Sequence, residues 1–304
     1  FVLPEAVLNV KAHMRIRTIL LQGSSVKSLT FLGDMFDGVQ CPCILLQLVA
    51  TGKPLSTVGM RIEDRTRTFI IAMERTVVPE NFSFRMTDEE YRVLEKIKNS
   101  IPVCYLADHA DFALGIVTGN NKKFLSAEKT EHSEMVLKGT DICKYHINPA
   151  KQYLRFEPEQ FQQVAPLEIY RAPEKLLYRF ISNQLVVAYD DRQMLSLNSC
   201  NIVIPKIEGM QIKYILAILN SSVSQFVYQK EFHSIKVLRA HMGHIPIPRV
   251  GKAIQNEIIA MTEPLICGMG KEEAETCQKR LDCRIMDLFR LSAEEQWIIR
   301  HALH

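Results

Sequence analysis

The first third of the chain combines one amphipathic segment with several short apolar segments. Pro4 suits the first turn of a helix, and the apolar spacing predicts that this helix continues to about Leu21. Residues 25–32 and 41–50 are mostly apolar and end near turn-forming residues, so both are predicted strands, and residues 66–74 are predicted as a third. A helix beside near-continuous apolar strands is typical of part of an α/β sheet.

The pattern changes after Pro79. Thr87 and Glu90 match a capping box and predict the start of a helix that ends near Lys98. The following hundred or so residues alternate short apolar runs with turn-forming residues, which indicates short strands. The clearest predicted strands in this region are residues 183–191 and 201–207.

Helical periodicity returns from about residue 211 to the end of the chain. One helix is predicted over residues 211–232, and Ser292 with Glu295 forms a second capping box. The residues predicted to share one face of the last helix are Trp297, Ile298 and Leu303.

Composition narrows the class of protein only slightly. The 304 residues, 47% hydrophobic and 23% charged, are enough for two globular domains. A net charge of +3 permits a nucleic-acid partner without requiring one. No apolar run approaches the ~20 residues of a membrane-spanning helix, so we expect no membrane partner and a cytoplasmic location. The eight cysteines show no CxxC spacing and are interpreted as reduced thiols.

The stretch GIVTGNNKKFL, residues 115–125, is the first candidate for chemistry. Glycines allow backbone angles that are closed to other residues, which can turn peptide N–H groups outward. Asparagine side chains can pair with adenine, and lysines can neutralise phosphates. A solvent-exposed hairpin turn has the same composition. The loop alone therefore does not decide between a plain turn and a DNA-facing loop.

Four further motifs follow this loop: VLKGTDICKY, PEKLLYRFISNQLVVAYDDR, YILAILNSS and HIPIPR. In this order they resemble the TaqI-type target-recognition (specificity) domain of gamma-class N6-adenine DNA methyltransferases from type II restriction–modification systems. The segments that carry the resemblance are Gly115–Phe124, Gly139–Tyr145, Lys175–Asp190, Ile218–Ser221 and Ile245–Pro248.

The start of the chain resembles the end of the catalytic domain in the same family, where a proline ends a sheet strand and a basic helix follows. The resemblance implies an α/β chain, α+β overall, with two parts. Residues 1–80 would be the remnant of a Rossmann-like methyltransferase sheet, and residues 81–304 the specificity domain, helical from about 211. The chain lacks an initiator Met, and we expect it to be part of a longer protein. The matching positions at the front are Leu32, Gly33, Phe36, Gly38, Val39 and residues 44–46.

The resemblance implies sequence-specific recognition of double-stranded DNA within an adenine-N6 methyltransferase, with or without a fused nuclease. The chain has no Pro-Pro pair, hence no Asn-Pro-Pro-Tyr element, and no glycine-rich loop after a strand to seat S-adenosylmethionine. We therefore assign it no cofactor, metal or catalytic residue, and expect S-adenosylmethionine to bind an upstream catalytic domain of the same polypeptide. Two alternatives stay open: a stand-alone specificity subunit acting with catalytic partners, and an unrelated two-domain α/β protein.

The residues predicted to face DNA are turn residues and basic or aromatic side chains of these motifs. Lys11, Arg15 and Arg17 could also touch phosphate, but a solvated helix face would look the same. Asp190 and Asp191 could suggest a nuclease metal site, although no Glu-x-Lys partner follows a nearby strand. The predicted DNA-binding residues are Thr118, Gly119, Asn120, Asn121, Lys122, Lys123, Lys138, Lys144, Tyr145, Lys175 and Arg179.

Overall fold

The computed structural model describes residues 1–39, 41–232 and 234–303, and the chain divides into two compact units. The first unit contains Phe1–Leu94 and Lys230–Phe232, and the second contains the remaining described residues. Both units mix helices with strands, which confirms the predicted α+β class.

The first unit is built around a five-stranded sheet with the order β1-β3-β2-β4-β5. Strands β1 and β2 run antiparallel to β3, β4 runs parallel to β2, and β5 antiparallel to β4. A further helix, α2, crosses the boundary to the second unit. The elements are β1 (Val2–Pro4), α1 (Met14–Gly23), β2 (Ser24–Asp34), β3 (Pro42–Ala50), β4 (Arg61–Glu63), β5 (Thr68–Ile70) and α2 (Asp88–Asn99).

The central hairpin of this sheet confirms the predicted strands 25–32 and 41–50. Leu29 pairs with Leu46 and Phe31 with Ile44, and these four side chains are buried in the core of the unit. Their alternation with less buried neighbours along β2 is the period of two expected when one face of a strand is covered. The third predicted strand, 66–74, is shorter and is limited to β5.

The prediction of a continuous helix from Pro4 to Leu21 is wrong. Pro4 ends β1, two 3-10 turns follow, and the α-helix begins only at Met14. Arg17 is 1% exposed, and its guanidinium Nη1 donates to the carbonyl oxygens of Val7 and Val10, at 2.7 and 3.0 Å. These bonds satisfy backbone carbonyls at the break, so Arg17 supports the turn and is not on a solvated face.

The second unit holds three smaller sheets with the orders β13-β9-β10-β8, β12-β11-β14-β7 and β15-β6. Helices dominate the C-terminal part from Ile212 onward, as predicted. The elements are β6 (Val103–Cys104), β7 (Ala110–Ala113), α3 (Asn121–Phe124), β8 (Leu125–Ser126), β9 (Glu134–Leu137), β10 (Tyr153–Leu154), α4 (Leu167–Tyr170), β11 (Lys175–Arg179), β12 (Val187–Asp190), β13 (Leu195–Ser196), β14 (Cys200–Pro205), α5 (Ile212–Asn220), α6 (Ser222–Glu231), α7 (Arg239–Gly243), β15 (Ile247–Pro248), α8 (Lys252–Cys267), α9 (Lys271–Leu288) and α10 (Ala293–Ala302).

The predicted helix 211–232 is two helices, α5 and α6, separated at Ser221. Ser221 has extended backbone angles, its hydroxyl donates to the Ile218 carbonyl at 2.7 Å, and the Ser224 N–H donates to that hydroxyl at 3.2 Å. The serine thus satisfies backbone groups at both sides of the break. The residues of α5 from Tyr214 to Asn220 are all buried, and Ile212 and Lys213 at its start are half-buried, so the helix is a core element over most of its length.

Both predicted capping boxes are present. The N–H of Glu90 donates to the Thr87 hydroxyl, and Ser292 and Glu295 exchange the equivalent bonds at the start of α10. The face predicted for α10 is wrong in part, since Trp297 is 56% exposed and the buried residue is Ile299. Within the described part of the chain, no helix is both long and apolar enough to cross a membrane.

Candidate nucleic-acid interface

The motif that includes Lys175 and Asp190 forms a buried ion pair. These residues lie opposite each other on β11 and β12, both fully buried, with 2.6 Å between Nζ and the carboxylate. Nζ also donates to the Tyr170 carbonyl at 2.6 Å, and the carboxylate accepts the N–H groups of Arg192 and Met194 at 2.9 Å each. Burial lowers the pKa of Lys175, an effect that the charge of Asp190 opposes. Each charge therefore has both an ionic partner and further hydrogen bonds.

The Asn-Ser motif at the end of α5 covers the edge strand β12. The Asn220 side chain accepts the Val187 N–H at 3.1 Å and donates to the Val187 carbonyl at 2.8 Å. Tyr145 lies beside it with a φ of 74°, donates its N–H to the same carbonyl, and accepts the Tyr189 N–H. The backbone of the edge strand is thus satisfied by a side chain and by an irregular turn.

The turn at 139–145 is fixed by two of the predicted DNA-binding residues. Arg179 donates Nε to the Gly139 carbonyl at 2.9 Å and Nη2 to the Ile142 carbonyl at 2.6 Å. Lys144 donates to the Asn220 carbonyl at 3.1 Å, and burial lowers its pKa. Both side chains are half-buried and are engaged with backbone oxygens that belong to the fold.

Two motif glycines are required for close packing. A Cβ on Gly115 would lie 2.1 Å from the Leu197 carbonyl oxygen, and a Cβ on Gly139 would lie 2.5 Å from the Ser199 carbonyl oxygen. Neither distance is possible for a real side chain, and both contacts are with backbone. These glycines therefore let the turns pack against neighbouring backbone.

Several of the predicted DNA-binding residues make contacts within the fold. Lys175 and Tyr145 are buried at 0% and 2% exposure and have no surface to offer a partner. Thr118 is also buried, and its hydroxyl donates to the Asn121 side-chain oxygen at 2.6 Å. Lys138 is half-buried, and its N–H donates to the Asp141 carboxylate at 2.8 Å. Sequence spacing cannot distinguish such structural roles from surface contacts, because both use the same residue types.

The remaining predicted residues lie together on one exposed turn, Gly119–Lys123. Gly119 has a φ of 78°, and the Asn120 side chain caps the single-turn helix α3 by accepting the Lys123 N–H. The loop is thus a capped helical turn, and the simple hairpin is not observed. Lys122 and Lys123 are exposed on this turn, with the Lys123 ammonium 4.6 Å from the centre of the Phe124 ring.

A second segment, residues 161–163, braces this turn. Val117 and Gln163 exchange two backbone hydrogen bonds of 2.9 and 3.1 Å. The Phe124 ring packs edge-on against Phe161 at 5.3 Å between ring centres, and Phe161 in turn contacts Phe156. The exposed turn therefore stands on a bonded and aromatic base, which holds its side chains in position.

The brace adds Gln162, a residue that sequence reasoning did not select. Gln162 is exposed, and its Cβ lies 3.4 Å from where a Cβ on Gly119 would be. The only signal in the sequence is the glutamine-rich segment Gln160-Phe161-Gln162-Gln163, which is also typical of a plain surface loop. We call the surface formed by Gly119–Lys123 and Gln162 the amide–lysine rim.

The chain has one Gly-x-Gly sequence, Gly268–Gly270, and it joins α8 to α9. It therefore connects two helices. A glycine-rich loop that binds a nucleotide-type cofactor instead follows a strand and precedes a helix. With no Pro-Pro pair in the chain either, the residues present do not fit S-adenosylmethionine.

The second unit is therefore an α+β fold with amide and lysine side chains exposed on the rim. Residues 134–247 match the family model of the TaqI-like C-terminal specificity domain. The resemblance indicated by the motifs is confirmed for this part of the chain. The match includes Gln162 and the buried ion pair but begins after the Gly119–Lys123 turn.

A curated relative is the type II methyltransferase M.VspI of Vibrio sp. (strain 343), with 29% identity over 156 residues. The alignment covers 47% of this chain and 35% of the relative, so the chain spans about a third of that relative's length.

Two solved structures share the fold. The Type IIL restriction-modification enzyme MmeI, determined in complex with DNA, has a TM-score of 0.59 at 11% identity, covering 99% of this chain and 48% of MmeI. The ATP-dependent Type ISP restriction-modification enzyme LlaBIII, determined bound to DNA, has a TM-score of 0.50 at 8% identity, covering 88% of this chain and 25% of LlaBIII. At these identities the likeness concerns the fold alone.

Proposed function

We propose that this chain provides sequence-specific recognition of double-stranded DNA within an adenine-N6 DNA methyltransferase of a restriction–modification system. The observation that carries the proposal is the specificity-domain match at residues 134–247, together with a braced, exposed turn on the same unit. The methyltransferase relative supports the same class of enzyme.

The rim has the chemistry that this task needs. Lysines bind phosphates without reading sequence, and side-chain amides read base edges in the major groove. Lys122 and Lys123 supply the first kind of contact, and Asn120, Asn121 and Gln162 supply amides. Because the turn is capped and braced, little conformational freedom is lost when it binds.

We assign no step of methyl transfer to this chain. S-adenosylmethionine and the adenine-binding element would belong to a catalytic domain upstream in the same polypeptide, and the first unit would be the end of that domain's sheet. Strands β1 and β2 are joined through α1 and both run antiparallel to β3, which lies between them, so they run in the same direction. Strands of the same direction joined through a helix are typical of an α/β sheet, which supports this assignment. The location would be cytoplasmic, where DNA is accessible.

The proposal is tested by measuring binding to duplex DNA at several salt concentrations, for the wild type and for the double variant Lys122→Ala/Lys123→Ala. Each phosphate contact contributes about 0.9 to the slope of log K against log salt. We expect the double variant to bind less tightly and to lower the slope by about 2.

The matched control is Lys252→Ala/Lys271→Ala, which removes the same charge from exposed positions at the starts of α8 and α9. This control should leave the slope unchanged. No duplex binding by the wild type at low salt would reject the proposed function. An equal loss in both double variants would instead show that net charge, and not the rim, attracts DNA.

A further inference from the structure

We propose that Gln162 is a base-reading residue of the rim and that it pairs with an adenine in the major groove. This inference rests on the proposed function and deepens it, because it names the residue and the base. It depends on which amide of the rim makes no hydrogen bond within the fold and is therefore free to turn toward a base edge.

The two asparagines do not meet this condition. The Asn120 side-chain oxygen accepts the Lys123 N–H at 3.2 Å, and the Asn121 side-chain oxygen accepts the Thr118 hydroxyl at 2.6 Å. A bidentate contact with adenine requires the amide oxygen to accept from N6 while the amide nitrogen donates to N7. Each asparagine oxygen could accept a second bond, but the bond it already accepts fixes the direction of its amide within the turn, whereas an amide without such a bond can turn toward a base edge.

Gln162 meets the condition. Within the described part of the chain its side-chain amide makes no hydrogen bond, and the residue is exposed. Its Oε1 lies 3.6 Å from the position of a Cβ on Gly119, so the amide stands beside the turn that carries the lysines. A side chain on residue 119 would contact this amide, and glycine leaves the space open.

The two residues on either side of Gln162 in the sequence hold it in position. Phe161 packs against Phe124, and Gln163 pairs through its backbone with Val117. Both neighbours are therefore tied to the same turn that presents Lys122 and Lys123. Phosphate contacts by these lysines would set the register in which Gln162 meets a base edge.

Gln163 provides a matched control within the same segment. It has the same side chain and is exposed, but it lines a separate open cavity of about 500 Å³ together with Phe112, Ile169 and Arg239. It should therefore not share the role of Gln162.

The experiment selects bound duplexes from a library with randomised positions, using the full chain and the variants Gln162→Ala, Gln162→Glu and Gln163→Ala. The wild type should enrich a motif that contains adenine. Gln162→Ala should lose about tenfold of the preference for adenine at one position. Gln162→Glu should shift that position toward cytosine, because a carboxylate accepts from cytosine N4. Gln163→Ala should enrich the wild-type motif.

The outcomes separate the two proposals. A wild type that enriches no motif rejects the proposed function, and this inference fails with it. A wild-type motif that lacks adenine, or that persists unchanged in both Gln162 variants, overturns the role of Gln162 alone. Equal loss of preference in Gln162→Ala and Gln163→Ala also overturns it. A shift toward cytosine cannot result from a loss of fold, so it separates base reading from a structural role.

Discussion

Lysine and asparagine occur both in the interior of the second unit and on its surface, with opposite roles. Inside, Lys175 pairs with Asp190 at 2.6 Å and Asn220 bonds twice to Val187. On the rim, Lys122 and Lys123 are exposed. We call the buried residues Lys175, Asp190, Asn220 and Tyr145, together with the half-buried Arg179, the buried frame.

Motif similarity and exposure on the surface are therefore separate properties of this domain. The buried frame includes residues of the motifs that identify the family, and its bonds hold strands and turns together. On the rim, the side chains of Lys122, Lys123 and Gln162 are exposed, and a change of an exposed side chain usually has little effect on stability. Changes in the frame should therefore alter stability, and changes in the rim should alter binding.

The largest expected effect on stability is that of Asp190→Ala. Removing this carboxylate leaves the Lys175 ammonium buried without its ionic partner, which typically costs about 3–5 kcal/mol. We expect the free energy of unfolding, measured by urea denaturation, to fall by that amount. The exposed neighbour Asp191 offers the control Asp191→Ala, which should change stability by less than about 0.5 kcal/mol.

A double variant tests whether the unpaired charge causes the loss of stability. Replacing both members, as in Lys175→Met/Asp190→Leu, removes the unpaired charge and should recover much of the lost stability. If Asp190→Ala were no more harmful than Asp191→Ala, the ion pair would not be part of the frame.

A smaller effect is expected for Asn220→Ala. This change leaves the Val187 N–H without the side-chain oxygen that it meets at 3.1 Å, and a buried unsatisfied polar group costs about 1–3 kcal/mol. Urea denaturation of this variant can be compared with Asn183→Ala, which removes an exposed asparagine from the loop before β12. Similar stabilities for the two variants would contradict the role of Asn220 as cover for the edge strand.

The sequence predicted those features that depend on neighbouring residues. The strands β2, β3, β12 and β14 follow from local apolar patterns, and both capping boxes from residues three apart. The failures involve partners that are distant in sequence. Arg17 was not expected to bind the carbonyls of Val7 and Val10, and the burial of Lys175 depends on Asp190, fifteen positions later on the facing strand.

The residues of the candidate site were also predicted only in part. The Gly119–Lys123 turn was found because its glycine, amides and lysines are adjacent in the sequence. Gln162 was missed because it is held beside the turn by the Val117–Gln163 backbone pairing and the Phe124–Phe161 contact, both between residues distant in sequence. A single sequence does not reveal that pairing, since residue 163 lies in an irregular segment without strand periodicity.

The smallest expected effect on stability is that of a change on the rim, at Asn120. Asn120→Ala removes the cap that accepts the Lys123 N–H, and the loss of an N-cap typically costs about 1 kcal/mol. Because α3 is a single exposed turn, this cost should remain local. We expect faster hydrogen exchange of the Lys123 amide and little change in the free energy of unfolding of the second unit. Asn120→Asp retains a capping oxygen and should preserve the wild-type exchange rate. If Asn120→Ala instead lowered the stability of the unit as much as Asn220→Ala, the turn would be part of the buried frame, and its side chains could not vary independently of the fold.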